Sequence, residues 1–309
     1  MYRKSNLLFL MNQTPMHAGS GDSLGIIDMP IQRERHTGFP KIEASSLKGS
    51  IREHFERATD EKDSKVLAAF GTEGENNKGS KAGALGFTDA RLLLFPVKSM
   101  KGVFAWVTCP KIISVFNEEL KLAGHNVFFD LKEKTVGTGN KLALNSNKIV
   151  LEEYTFDVND VKGTKNAVNE LGEWLSLNLL NGKGYFAEKL MTDIVVLSDD
   201  DFKDFVNLST EVLTRTKIDN ETGTVADGAL FTEEYLPAES IMYTNVLTAA
   251  EFATGDDKKA TKQFEKEEDL RKFFSEFIAK DNIFQIGGNG TLGKGIVKAK
   301  FVEPNNGGN

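Results

Sequence analysis

Residues 14–52, TPMHAGSGDSLGIIDMPIQRERHTGFPKIEASSLKGSIR, gather His17, Asp28, Arg33, Arg35, His36, Lys48 and Arg52 into one stretch rich in glycine and proline. Cations at this density bind phosphates. An acid among them can share a Mg²⁺ ion with a bound phosphate, because Mg²⁺ keeps much of its water and needs few protein ligands. Asp28 is that acid, and a plain turn former bonding its own backbone is the alternative. His17 titrates near neutral pH and suits proton transfer, although a satisfied structural histidine is an equal reading. No HExxH pattern, ordered Ser-His-Asp set or cysteine cage competes, since Cys109 is the single cysteine.

Three further segments could bind a polyanion. Leu47, Ile51, Phe55 and Ala58 repeat at helical spacing, so residues 46–59 are expected to form an amphipathic helix capped by Ser45 or Ser46. Lys48 and Arg52 share one face of its first turns. With Ser46 and the free N–H groups they make a phosphate site, unless the basic face simply pairs with Glu56. Residues 287–295 imitate G-x-G-x-x-G through Gly288, Gly290 and Gly293, and nearly a P-loop with Lys294. Neither signature holds: Gly295 stands where Ser or Thr would meet Mg²⁺, and a strand-like run follows instead of a helix. What remains is a glycine hairpin, or backbone N–H groups lying against a polynucleotide beside Lys294. Residues 211–237 read as a hairpin arm turning near Asp219–Gly223, with Arg215 and Lys217 on one limb and Ala229, Leu230 and Phe231 on the other. Such an arm is either an ordinary hairpin or a projection touching nucleic acid or a neighbouring copy.

The elements that must position these groups alternate irregularly. LLFLM near the start reads as a first strand rather than a signal peptide, and residues 15–43 as a long loop. Strands follow at 83–97 and 102–110, then a helix from Pro110. Residues 71–83 and 124–148 are irregular, IVLEEYTFDV is a strand, and 166–180 and 200–208 are helical. After the arm come a strand at SIMYTNVLTA, a charged loop over 251–263, a helix over 265–280 and a closing strand pair around the glycine loop. β-α-β-β-α-β order emerges once the long loops are treated as insertions, which predicts an α+β, ferredoxin-like core in a single domain.

Composition sets outer bounds. With 40% hydrophobic and 27% charged residues, and no run near 18 apolar residues, a globular chain without a membrane span is expected. One cysteine suits a reducing cytoplasm. The net charge of −7 argues against nucleic acid, but residues 152–204 hold twelve acids against five lysines and account for all of it. Lys294, Lys298 and Lys300 lie in a stretch without acids, so a local basic track with an acidic back fits these numbers.

HAGSGDSLGIIDMPIQRERHTGFPKIEASSLKGSIR, TGTVADGALFTEEYLP and GGNGTLGKG together resemble the repeating backbone subunit of type III-B (Cmr) CRISPR effector complexes, in the RAMP superfamily. The resemblance runs from about residue 8 to 302. It implies an RRM-like palm with inserted elements and a thumb hairpin at about 211–237. Copies would stack along a CRISPR RNA with other Cmr subunits, and each thumb would wedge into the guide–target duplex. Asp28, in its D-x-P-I-x-R-E context, falls where the family cuts target RNA. The implied chemistry uses a divalent metal, Mg²⁺ or Mn²⁺, and attack by the RNA 2′-hydroxyl that leaves a cyclic phosphate. Lys48 and Arg52 would hold the guide, Arg33, Arg35 or Lys48 would neutralise the phosphate, and His17 with Glu233 or Glu234 are secondary candidates. A non-catalytic guide coat, or a stand-alone processing nuclease dependent on His17, are the competing expectations.

Overall fold

The computed structural model describes residues 4–22, 25–59, 63–72, 80–144, 147–159, 165–219, 221–252 and 262–304, with backbone only at 226–229. Six elements form the core: β1 (Lys4–Asn12), α1 (Ala44–Ala58), β2 (Ala90–Lys98), β3 (Ile241–Thr248), α2 (Glu267–Lys280) and β4 (Ile296–Val302). Their strands lie in the order β4-β1-β3-β2, and every neighbouring pair is antiparallel. This is the ferredoxin-like arrangement. Everything between β2 and β3, the arm included, is inserted into it.

β1 shows why the first apolar run does not alternate. It sits between β3 and β4 with Leu7 to Met11 all buried, because both faces of the strand are covered. On one face α1 buries Leu47, Ile51 and Phe55, and Phe55 stacks on Phe277 of α2 with ring centroids 3.6 Å apart. α2 buries Leu270, Phe274 and Ile278 and opens with Glu267, Glu268 and Asp269, the charge its N-terminus favours. The insertion extends the same sheet: strand Phe104–Thr108 pairs with β2, and Ile194–Val196 pairs with it in parallel. Helices Pro110–Leu122, Ala167–Leu180, Tyr185–Thr192 and Asp199–Leu208 complete the insertion.

Several expectations need correcting. α1 starts at Ala44 rather than 46, and neither serine caps it; the N-cap is Glu43 without a side-chain bond, and Asp89 Oδ1 accepts the Ala44 N–H at 2.9 Å instead. IVLEEYTFDV is two strands, Lys148–Leu151 and Tyr154–Asp157, folded back at Glu152 with φ +51°. The irregular segment 124–148 contains strand Thr135–Val136, and helix Ser64–Phe70 precedes the glycine-rich loop. Of the loops expected at 71–83 and 251–263, residues 73–79 and 253–261 lie outside the described residues.

Candidate nucleic-acid interface and cleavage site

The arm consists of strands Glu211–Ile218 and Val225–Tyr235, paired in register from Glu211–Tyr235 to Thr216–Leu230 and irregular beyond. At its turn, Asp219 Oδ1 accepts the N–H groups of Glu221 (2.8 Å) and Thr222 (2.9 Å), the local bonding that makes aspartate a turn residue. Leu230 is 65% exposed, and Lys217 and Thr216 are exposed beside it. Phe231 is half-buried on the opposite face, across from Arg215.

The long loop is fastened to the base of this arm at two places. Met16 and Leu236 exchange N–H···O bonds of 2.9 and 2.8 Å, and Met29 bridges Glu233 in parallel. Met29 donates to Thr232 O, and Glu234 donates to Met29 O, both at 3.0 Å. Asp28 lies exposed beside that bridge. Its Oδ2 accepts the Thr232 N–H (2.7 Å) and hydroxyl (2.9 Å), while its own N–H donates to Thr232 Oγ1 (3.0 Å). The backbone and hydroxyl bonds from Thr232 stabilise the charged form and hold the Asp28 carboxyl below the usual carboxylate range. Among the described residues no hydrogen bond or ion pair joins Asp28 to the loop's cations.

Those cations have other work. Arg33 Nη1 donates to Gly38 O (2.8 Å), Val206 O (3.0 Å) and Asn207 Oδ1 (3.1 Å), and Nη2 pairs with Glu234. Arg33 is therefore a structural tie between loop, arm and inserted helix, and its donors are not turned to a phosphate. Glu234 is the other half of that tie: its carboxylate is buried and also accepts the Ile31 N–H (3.0 Å) and the Thr210 hydroxyl (2.8 Å). Lys48 is half-buried and donates to Leu85 O at 3.0 Å; burial, then the nearby Arg52 charge, lowers its pKa. Arg52 pairs with Glu56 at 2.7 Å, and the Ser46 hydroxyl takes a bond from Gln32 (3.2 Å). The pairing with Glu56 offered as the plain alternative is thus the one observed. Arg35 and His36 remain exposed, with His36 Nε2 3.8 Å from Glu34.

His17 is buried, its Nδ1–H donating to Glu234 O at 2.7 Å and its ring 5.5 Å from that of Tyr235. The glycine loop closes over it. Gly288 N–H donates to His17 O (2.9 Å), and Gly295 N–H donates to Pro15 O (2.9 Å). The N–H groups of Leu292, Gly293 and Lys294 are used inside the loop, around a 3₁₀ turn at Gly290–Leu292. The expected row of free N–H groups at Gly288 and Gly293 is therefore absent, because the loop spends them on its own turn and on the His17 segment. What the loop offers instead is polar: Asn289 Nδ2 donates to Glu233 Oε1 (3.0 Å) and to the Tyr235 hydroxyl (2.9 Å). Lys294 Nζ lies 4.8 Å from the Tyr235 ring centroid. Lys298 and Lys300 line a separate cleft with Glu276 and Glu303, so they do not continue a track from Lys294.

Glu233 and Arg215 complete a knot at the arm's base. Arg215 donates to Glu233 Oε2 (2.9 Å) and to the Tyr235 hydroxyl (2.7 Å), which itself donates to Glu233 Oε2 (2.7 Å). Burial pushes the Glu233 pKa up, but the bonds from Tyr235, Asn289 and Arg215 outweigh it and leave the carboxyl below its ordinary range. Sequence alone marks neither Thr232 nor Tyr235 nor Asn289. Thr232 lies 204 residues from Asp28, and nothing local marks it.

A resident metal centre is not preformed: among the described residues no three His, Cys, Asp or Glu side chains converge on one point. The exposed Asp28 carboxylate fits a hard cation that brings its own water and is completed by a phosphate oxygen.

A ferredoxin-like palm thus carries an inserted arm, and a loop aspartate is held on that arm. The chain belongs to the RAMP superfamily, whose family model matches residues 10–298. It is 38% identical over 309 residues to the CRISPR system Cmr endoribonuclease Cmr4 of Pyrococcus furiosus, covering 99% of this chain and 98% of that protein. The crystal structure of oligomeric Cmr4 from Pyrococcus furiosus aligns with a TM-score of 0.69 at 30% identity, over 98% of this chain and 99% of that one. A chain of the type III-B Cmr-beta complex bound to cognate target RNA shares the fold, with a TM-score of 0.71 at 21% identity over 97% and 98% of the two chains.

Proposed function

We propose that this chain is a repeating backbone subunit of a cytoplasmic, RNA-guided type III-B (Cmr) complex. It coats CRISPR RNA as a filament of copies alongside other Cmr subunits and cuts complementary target RNA at regular intervals in antiviral defence. The observation that carries the reading is Asp28, an exposed ionised carboxylate fixed at the base of a projecting arm. Identity of 38% to a protein named an endoribonuclease supports it. Among the described residues, no helix is long and apolar enough to cross a membrane.

In this reading the arm, with Leu230 exposed on one face, parts the guide–target duplex and presents one target phosphate to Asp28. The 2′-hydroxyl attacks that phosphate, the bond to the 5′-oxygen breaks, and a cyclic phosphate and a 5′-hydroxyl result. DNA lacks the nucleophile and is bound uncut. Mg²⁺ or Mn²⁺ shared between Asp28 and the phosphate would stabilise the developing negative charge. Exposed Arg35 and Lys217, with half-buried Lys294, supply charge to the RNA backbone, and Lys48 and Arg52 do so only if RNA displaces their present partners. Asp28→Asn in the assembled complex tests the reading: cleavage should fall to a slow residual rate at every site with target affinity unchanged. Cleavage at the parent rate would leave a non-catalytic coat as the better description.

A further inference from the structure

A single residue holds the exposed Asp28 by three hydrogen bonds. Thr232 Oγ1 accepts the Asp28 N–H at 3.0 Å and donates to Asp28 Oδ2 at 2.9 Å, and the Thr232 N–H reaches the same oxygen at 2.7 Å. Thr232 O then takes the N–H of Met29 at 3.0 Å. One threonine thus fixes the main chain on both sides of the Asp28 carbonyl and directs one of its carboxylate oxygens inward. An exposed loop aspartate otherwise samples several rotamers.

We propose that Thr232 is the positioning residue of the cleavage site, orienting the Asp28 carboxylate toward the target phosphate and tying it to the arm. The proposal rests on the reading of Asp28 as the cleaving carboxylate. The hydroxyl is the specific part. The Thr232 N–H and carbonyl contacts would survive any side chain, whereas only a hydroxyl accepts from the Asp28 N–H and donates to Oδ2 together. Valine and alanine cannot reproduce that exchange, and serine can.

The strand supplies a second argument. Leu230 and Thr232 lie two residues apart on one face of the arm, about 7 Å at strand spacing. The element that exposes Leu230 to the duplex is therefore the same one that grips Asp28. Wedge and carboxylate move as one body, so parting the duplex and presenting the carboxylate occur in a fixed register.

The test uses the complex assembled with guide RNA and follows single-turnover cleavage and target affinity separately. Thr232→Val should slow cleavage about 10- to 100-fold, the scale of a misplaced catalytic group, with target affinity within about twofold of the parent. Thr232→Ser should restore the rate to within about threefold. In an Asp28→Asn background, adding Thr232→Val should change the residual rate by less than about threefold, because the residue acts only through Asp28. If Thr232→Val perturbs assembly, Thr232→Ala provides the hydroxyl-free comparison at smaller volume. Full-rate cleavage by a hydroxyl-free variant, with Asp28→Asn at its residual rate, overturns the positioning role and leaves the catalytic reading standing. Failure of serine to rescue, or loss of target affinity in step with rate, overturns it too. Full-rate cleavage by Asp28→Asn removes both.

Discussion

Glu234→Gln probes the attachment of the long loop to the arm. The Glu234 carboxylate, 2% exposed, pairs with the Arg33 guanidinium, 20% exposed, and also accepts bonds from Ile31 N–H at 3.0 Å and the Thr210 hydroxyl at 2.8 Å. Removing one partner from a buried pair strands the other charge, which typically costs about 3–5 kcal/mol. Arg33 keeps Gly38 O, Val206 O and Asn207 as acceptors and retains some solvent, so the lower end, roughly 3 kcal/mol, is expected here. Urea unfolding of the isolated chain, read at the transition midpoint, gives the loss. Arg33→Met and the double variant complete the cycle. The single losses should sum to more than the double loss by about 1–3 kcal/mol, since each partner suffers mainly from the other's absence. Because Met29 and Ile31 are held by the same arm strand, Glu234→Gln should also slow target cleavage. A loss below about 1 kcal/mol, the size of a solvent-exposed pair, together with a coupling near zero, would refute the claim that this pair fastens the loop.

Two further outcomes follow from the same base. A Cβ on Gly287, at φ +81°, would lie 2.2 Å from His17 O, whereas Gly293, at φ +71°, has nothing within 4 Å. Gly293→Ala should lose about 1 kcal/mol from its left-handed backbone alone, and Gly287→Ala about 3 kcal/mol or more, because backbone must move; equal losses in chemical denaturation would contradict the close packing. Glu233 titrates below its ordinary value of 4.5 in the folded chain, so its bonds stabilise fully above that value and fade as pH falls through the lowered one. Wild-type stability should therefore fall more steeply than that of Glu233→Gln as pH drops below 4.5, and parallel curves there would show the knot contributes nothing.

What the sequence disclosed follows how local each signal is. The stripe Leu47, Ile51 and Phe55 and the turn around Asp219 are set by neighbours a few residues away, and both stand in the structure as read. The ferredoxin-like order was readable once the insertion was recognised as one. The cap of α1 was not, because Asp89 supplies it from 45 residues downstream while two serines stand closer. The hairpin at 148–157 looks like one strand in sequence because its turn, Glu152–Glu153, has no glycine, although Glu152 takes a left-handed backbone conformation. The site split along the same line. Asp28 stood out by its company of cations, yet Arg33 and Arg52 are tied to carboxylates and Lys48 to a carbonyl, because side chains so close to acids satisfy one another before a ligand arrives. Thr232 carried no local mark.

The central place of β1 has a consequence for how the chain reaches its fold. Leu7 finds its sheet partners at Asn245 and Val302, so the run LLFLM has no neighbour to pair with until most of the polypeptide has been made. Loop closure over such separations is slow, and an unpaired apolar strand is a template for aggregation. Newly synthesised chains therefore carry this strand without its sheet partners until β3 and β4 have been made. The helix that first covers it emerges from the ribosome about forty residues behind it.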